Sequence, residues 1–129
     1  RNNPMRWIET CIGEGTTIIR YYNFIVRICD DLALNYPGRS FCFTMDNLNS
    51  HQHPLVLNET MRRGHNCVFR APYWAMDGAI EYVFNTMHTM IMMFYNELMT
   101  IDELENKLTQ IFGMIPSFRR YFNHVGMLL

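Results

Sequence analysis

The stretch "FTMDNLNSH" (Phe43 to His51) ends an apolar run on an acid, Asp46, then gives Asn47 and, five residues after the acid, His51. An aspartate there can do either of two jobs. It can accept backbone hydrogen bonds and turn the chain, as Asp-Asn pairs often do. It can also stand at the carboxyl end of a strand, where sites form in parallel α/β folds, and offer oxygen to a hard divalent cation. A second acid, Glu81, falls in the first turn of the helical pattern "AIEYVFNTM", where the helix dipole favours a charged carboxylate. A solvated dipole partner is the plain structural reading of that residue. If both acids open onto one sheet edge, their charges repel unless a cation sits between them, and Mg²⁺ or Mn²⁺ suits such oxygens. Asp46 and Glu81 are the candidate catalytic and metal-binding pair.

The elements that must position them can be read from periodicity. Thr16 or Thr17 caps a helix with Ile18, Tyr22, Ile25, Ile28, Cys29 and Leu32 at helical spacing, ended by the turn "NYPG". "RSFCFTM" (Arg39 to Met45) and "CVFRA" (Cys67 to Ala71) are short apolar runs that suit buried strands. Between them "PLVLNETMRRG" (Pro54 to Gly64) opens a helix on proline and closes it on arginines and glycine. Asp77 can cap a further helix with Ile80, Val83, Phe84, Met87, Ile91 and Phe94 on one face. "TIDE" (Thr100 to Glu103) is a capping box for a helix bearing Ile101, Leu104, Leu108 and Ile111, stopped near Gly113. Phe118, Tyr121, Phe122 and Val125 form a last stripe before Gly126.

Strands alternating with helices predict an α/β fold: mostly parallel strands covered by helices, with a helical carboxyl-terminal part. Two strands are too few for a stable parallel sheet. The sequence also opens on Arg1 rather than Met. The expectation is one partial domain over residues 1–129, its first strands lying upstream.

Composition removes several classes. The chain has 129 residues, 49% hydrophobic and 18% charged, which suits one folded domain rather than disorder. A net charge of −1 provides no general basic surplus, so any nucleic-acid face must be local. Four widely spaced cysteines without a Cys-x-x-Cys pair argue against zinc ribbons and disulfide frameworks and for a reducing, intracellular compartment. The apolar stretch from Tyr82 to Tyr95 is too short and too interrupted by polar residues to span a bilayer, so no membrane partner is expected. His51 and His53 form a His-x-His pair without a third ligand at zinc spacing. Arg62 and Arg63, with His65 and Arg70, are candidate DNA contacts, although basic residues at a helix end also serve the dipole. Arg119, Arg120 and His124 form a second basic cluster with the same two readings. Cys42 and Cys67 are expected to be buried, and Met87, Met90, Met92 and Met93 to fill core.

"FTMDNLNSH" resembles the segment around the second catalytic Asp of mariner-type DDE transposases: an apolar strand, Asp-Asn, then His five residues after the Asp. "APYWAMDGAIEYVFNTM" (Ala71 to Met87) resembles their Pro-Pro-Tyr-Ser-Pro-x-x-Asn-Pro-Ile-Glu segment, with Pro72, Tyr73, Ile80 and Glu81 in register. The 34 residues between the two acids (positions 47 to 80) match the spacing in one large branch of that superfamily. The resemblance, over roughly residues 16–126, implies the carboxyl-terminal portion of an RNase H-like catalytic domain of the retroviral integrase superfamily. It implies phosphoryl transfer on DNA with two Mg²⁺ or Mn²⁺ ions, Asp46 and Glu81 as ligands, and His51 supporting Asp46; Asn47 can orient the metal shell or simply form the turn. It also implies a homo-oligomeric working form, a nuclear location in a eukaryote, and a first catalytic Asp upstream, since Asp30 and Asp31 lie on a helix. Trp74 and Ala75 replace the family's Ser and Pro after the Tyr, and Gly78-Ala79 replaces Asn-Pro, which loosens the aim of Glu81. These departures keep open a catalytically silent remnant that binds DNA or protein, and an unrelated α/β interaction domain whose acids are caps.

Overall fold

The computed structural model describes residues 7–10, 15–70, 79–96 and 98–124. Along them run α1 (Ile18–Asn35), β1 (Cys42–Met45), α2 (Pro54–Arg62), β2 (Asn66–Phe69), α3 (Ala79–Phe94), α4 (Ile101–Met114) and α5 (Arg119–His124). The chain divides into two compact units, Gly15–Trp74 and Arg1–Glu14 with Ala75–Leu129.

In the first unit, the Thr17 side chain accepts from the Arg20 amide at 3.2 Å and starts α1. Ile25, Ile28, Cys29 and Leu32 are the buried stripe of that helix. His53, one residue before Pro54, caps α2: its Nδ1 accepts from the Leu55 amide at 3.2 Å. The helix packs against α1 and β2, burying Val56, Glu59 and Thr60. Gly64, at φ 82°, takes the left-handed conformation that ends the helix and turns the chain into β2. The strands pair in parallel, Cys42 with Asn66 through Met45 with Phe69, so α2 is the crossover.

Both strands are shorter than the apolar runs suggest, and they are not buried on both faces. Phe43, Met45, Cys67 and Phe69 are sheltered while Cys42, Thr44, Asn66 and Val68 are exposed, the alternation of a sheet covered on one side. Cys42 therefore lies on the open face and Cys67 is half-buried; among the described residues the fully buried thiol is Cys29 on α1.

The second unit is helical. Asp77, like Pro72, Tyr73, Trp74, Ala75 and Gly78, lies outside the described residues, as do Val125 and Gly126. Ala79, Val83, Met87 and Ile91 form one buried row of α3 and pack with Ile111, Ile115 and Tyr121. Ile80, Phe84 and Phe94, on the neighbouring row, stay about half exposed because the core covers a single row. Met90 is partly buried, whereas Met92 and Met93 are exposed rather than core. The capping box forms in both directions: Glu103 N to Thr100 Oγ1 at 3.2 Å, and Thr100 N to Glu103 Oε2 at 3.3 Å. The helix it opens runs past Gly113 to Met114. Phe112, Phe118 and Tyr121 pack ring to ring and seat α5 against α3. Among the described residues no helix is long and apolar enough to cross a membrane.

Candidate functional site

Met45 ends β1 with its side chain buried and receives the Tyr21 hydroxyl on Sδ at 3.1 Å. Asp46 follows at the carboxyl end of the strand, with a partly exposed side chain. Its carboxylate does little for the turn that follows. The backbone closes that turn, since the His51 and Gln52 amides donate to the Leu48 carbonyl at 3.0 and 3.2 Å. Asp46 Oδ1 accepts from the Leu48 amide only at 3.5 Å, the outer limit of a hydrogen bond.

The firm partner of Asp46 is His51. Its Nδ1 lies against Asp46 Oδ1, in close contact rather than in an aligned hydrogen bond. The His51 ring is stacked on Tyr21, centroids 4.2 Å apart at 27°. Tyr21, from α1, is half-buried, and its phenol is held well above its ordinary range first by burial, then by Cys67 and Asp46. An aromatic wall thus fixes the imidazole on the acid. Nothing in the local sequence announces Tyr21, 30 positions from His51, except its place one helical turn before Ile25.

Asn47 has a different task. Its amide donates to the Arg70 carbonyl just past β2, while Gln52 Nε2 donates to its oxygen at 2.8 Å. Together with Arg70 N to Met45 O at 2.8 Å, this ties the carboxyl ends of the two strands together. Asn47 orients the loop that carries Asp46.

Glu81 is the third residue of α3, in its first turn. Ala79, the residue that begins the helix, is buried in the helical core, so packing rather than a proline fastens that turn. Asp46 belongs to the sheet-containing unit and Glu81 to the helical one.

Arg62 and Arg63 are engaged by an acid that the sequence reading passed over. Glu59 accepts from Arg62 Nε and Nη2 at 2.9 and 2.6 Å and from Arg63 Nε at 2.9 Å. Arg63 Nη1 also donates to Asp30 on α1 at 2.6 Å. The hydrogen bonds from the two arginines outweigh burial and hold the Glu59 carboxyl down at about 2. Its signal was present: an acid three and four residues before two arginines. His65, grouped with them as a phosphate contact, is instead buried; its Nδ1 accepts from the Phe41 amide at 3.1 Å. Burial, then the Arg63 charge, lowers its pKa.

As for metals, carboxylate oxygens at Asp46 and Glu81 suit Mg²⁺ or Mn²⁺ in kind. Among the described residues no group of three or more His, Cys, Asp or Glu is placed to hold an ion. The His-x-His pair is divided between two jobs, His51 on Asp46 and His53 on a helix cap. No protein-family model, curated protein or solved structure matches the chain.

Proposed function

We propose that this chain is the carboxyl-terminal portion of a mariner-like DDE transposase catalytic domain, RNase H-like in fold, which transfers phosphoryl groups on DNA. The observation that carries the reading is the state of Asp46. Its carboxylate stands at the end of a strand in a parallel βαβ unit, against His51 Nδ1, while the shorter hydrogen bonds of the turn are backbone ones, from the His51 and Gln52 amides to the Leu48 carbonyl. A turn-forming aspartate holds a backbone amide closely; the Asp46 carboxylate takes the Leu48 amide only at 3.5 Å, the outer limit of a hydrogen bond.

Asp46 and Glu81 are the residues that would hold the cation. When bound, Mg²⁺ or Mn²⁺ supplies a Lewis acid for phosphate oxygens and eases deprotonation of the attacking hydroxyl or water. The chain's own residues prepare this. His51, backed by the Tyr21 ring, limits the rotation of Asp46, and Asn47 fixes the loop by tying it to Arg70. Buried Ala79 steadies the turn that bears Glu81. DNA is the substrate, and the working form is a homo-oligomer.

The test measures melting temperature with and without Mg²⁺ for the parent, Asp46→Asn and Glu81→Gln. A ligand that binds the native state raises its stability, so Mg²⁺ should stabilise the parent and have a much smaller effect on either variant. Without metal, both variants should melt at or above the parent temperature, because each removes one of the two like charges that the proposed site gathers. An equal Mg²⁺ shift in all three proteins would sink the proposal.

A further inference from the structure

We infer that the cleft between α3 and α5, lined by Tyr82, Asn85, Thr86, Arg120 and Tyr121, binds a phosphodiester oxyanion of a nucleic-acid strand. The choice of nucleic acid over other phosphates rests on the function proposed above; the anion preference rests on the cleft itself.

The cleft measures about 360 Å³. That is within the roughly 300–1,000 Å³ of small-molecule sites. Its floor is a directed chain of hydrogen bonds. Arg120 Nη2 donates to the Tyr121 hydroxyl at 2.8 Å, that hydroxyl donates to Thr86 Oγ1 at 3.0 Å, and Thr86 donates to the Tyr82 carbonyl at 3.0 Å. Each proton in the chain is committed in one direction, and the chain ends on a backbone acceptor. Its open end is the donor end. A guanidinium carries five N–H donors and no acceptor, so Arg120 keeps further donors after serving Tyr121.

Arg120 is also held in place and left charged. Its guanidinium carbon lies 4.8 Å from the Tyr121 ring centroid. Tyr121 itself is buried in the helical core, so the arginine rests on a rigid plate. Burial pushes the Tyr121 phenol up, but its bonds to Thr86 and Arg120 and the Arg120 charge prevail and leave it below its ordinary value. Among the described residues no carboxylate forms an ion pair with Arg120. An exposed, pre-oriented guanidinium without a carboxylate, at the mouth of a cleft, matches the forked geometry of a phosphate. Asn85 also lines the cleft. It follows Glu81 by four residues, about 6 Å along the helix at 1.5 Å per residue, so a phosphate held here lies about one turn from the proposed metal ligand.

The experiment uses the chain with EDTA and follows the anisotropy of a short fluorescent DNA duplex of arbitrary sequence across a salt series. Arg120→Gln should weaken binding by about tenfold at low salt and reduce the slope of log K against log salt by about one. Arg119→Gln, which removes the same formal charge one residue away, should have a clearly smaller effect on both. Tyr121→Phe, which takes away the oxygen anchoring Arg120, should fall between them. Unchanged binding in Arg120→Gln, or equal losses in Arg119→Gln and Arg120→Gln, would overturn the proposal. A competition series with inorganic phosphate at matched ionic strength separates the sources. Displacement of the duplex by phosphate at equal or lower concentration than by unlabelled duplex would assign the cleft to free phosphate and also overturn it. Because no metal is present, these outcomes are independent of the Mg²⁺ test on Asp46 and Glu81.

Discussion

Arg62 and Arg63 at the end of α2, and Arg120 on α5, are the same residue type in opposite circumstances. The α2 pair closes on Glu59, and Arg63 reaches Asp30 as well, so their charge joins α2 to α1. Arg120 meets a phenol and an aromatic face, partners that orient a guanidinium without cancelling its charge. Two basic clusters that look alike in the sequence thus differ: the arginines of one are paired with acids, while Arg120 of the other has no ion pair among the described residues. The difference lies in the neighbouring acid, which α2 supplies three and four residues earlier and α5 does not.

The contrast breaks most sharply at Glu59. Glu59→Gln removes the shared negative charge from a buried position and leaves the two arginines one neutral acceptor oxygen, so it should cost about 2–3 kcal/mol, the scale of hydrogen bonds to charged groups. Chemical denaturation of the parent and the variant measures this. The same acid has a pH signature. Its folded-state pKa is depressed, so its contribution is fully present above the ordinary carboxylate range and is lost as pH falls through that range towards about 2. The stability of the parent should therefore decline faster than that of Glu59→Gln over this acidic window. Parallel curves would mean that Glu59 is not the acid responsible.

A smaller effect is expected at Arg63. Arg63→Ala severs both Asp30 and one Glu59 contact and should cost on the order of 1–2 kcal/mol. Arg62→Ala, whose side chain is 66% exposed, should have little effect on stability. Equal losses in the two variants would remove the Arg63–Asp30 contact as the link between helices.

A modest stability change is expected on the other side of the comparison. Tyr121→Phe keeps the ring in the core and deletes one oxygen, a change of about 1 kcal/mol. If the hydroxyl serves to aim Arg120, that modest loss should come with a visible shift of the Arg120 Nε resonance in ¹H–¹⁵N spectra. An unmoved Arg120 signal would reduce the hydrogen-bond chain to ordinary core satisfaction.

The sequence alone settled what depends on near neighbours. A threonine cap at Thr16 or Thr17, the Thr100–Glu103 box, proline at the start of α2 and the buried row of α1 all follow from interactions within one or two turns, which spacing records directly. Asp46 at a strand end was legible for the same reason, because an apolar run followed by Asp-Asn is a local pattern. Which face of each strand is covered was not legible, since short apolar runs look alike whether a sheet is packed on one side or two. Hence Cys42 was expected to be buried and is exposed. The tertiary structure decided the partners. Tyr21 on His51, Arg63 on Asp30, Asn47 on Arg70 and Tyr121 on Thr86 join residues more than 20 positions apart. Such pairs depend on how helices pack and on the register of two parallel strands, quantities set by the summed burial of many side chains rather than by any one residue's neighbours in the chain. That is why the residue types in the sequence proposed Asp46, Glu81 and the arginines, whereas packing determined which of their charges are neutralised.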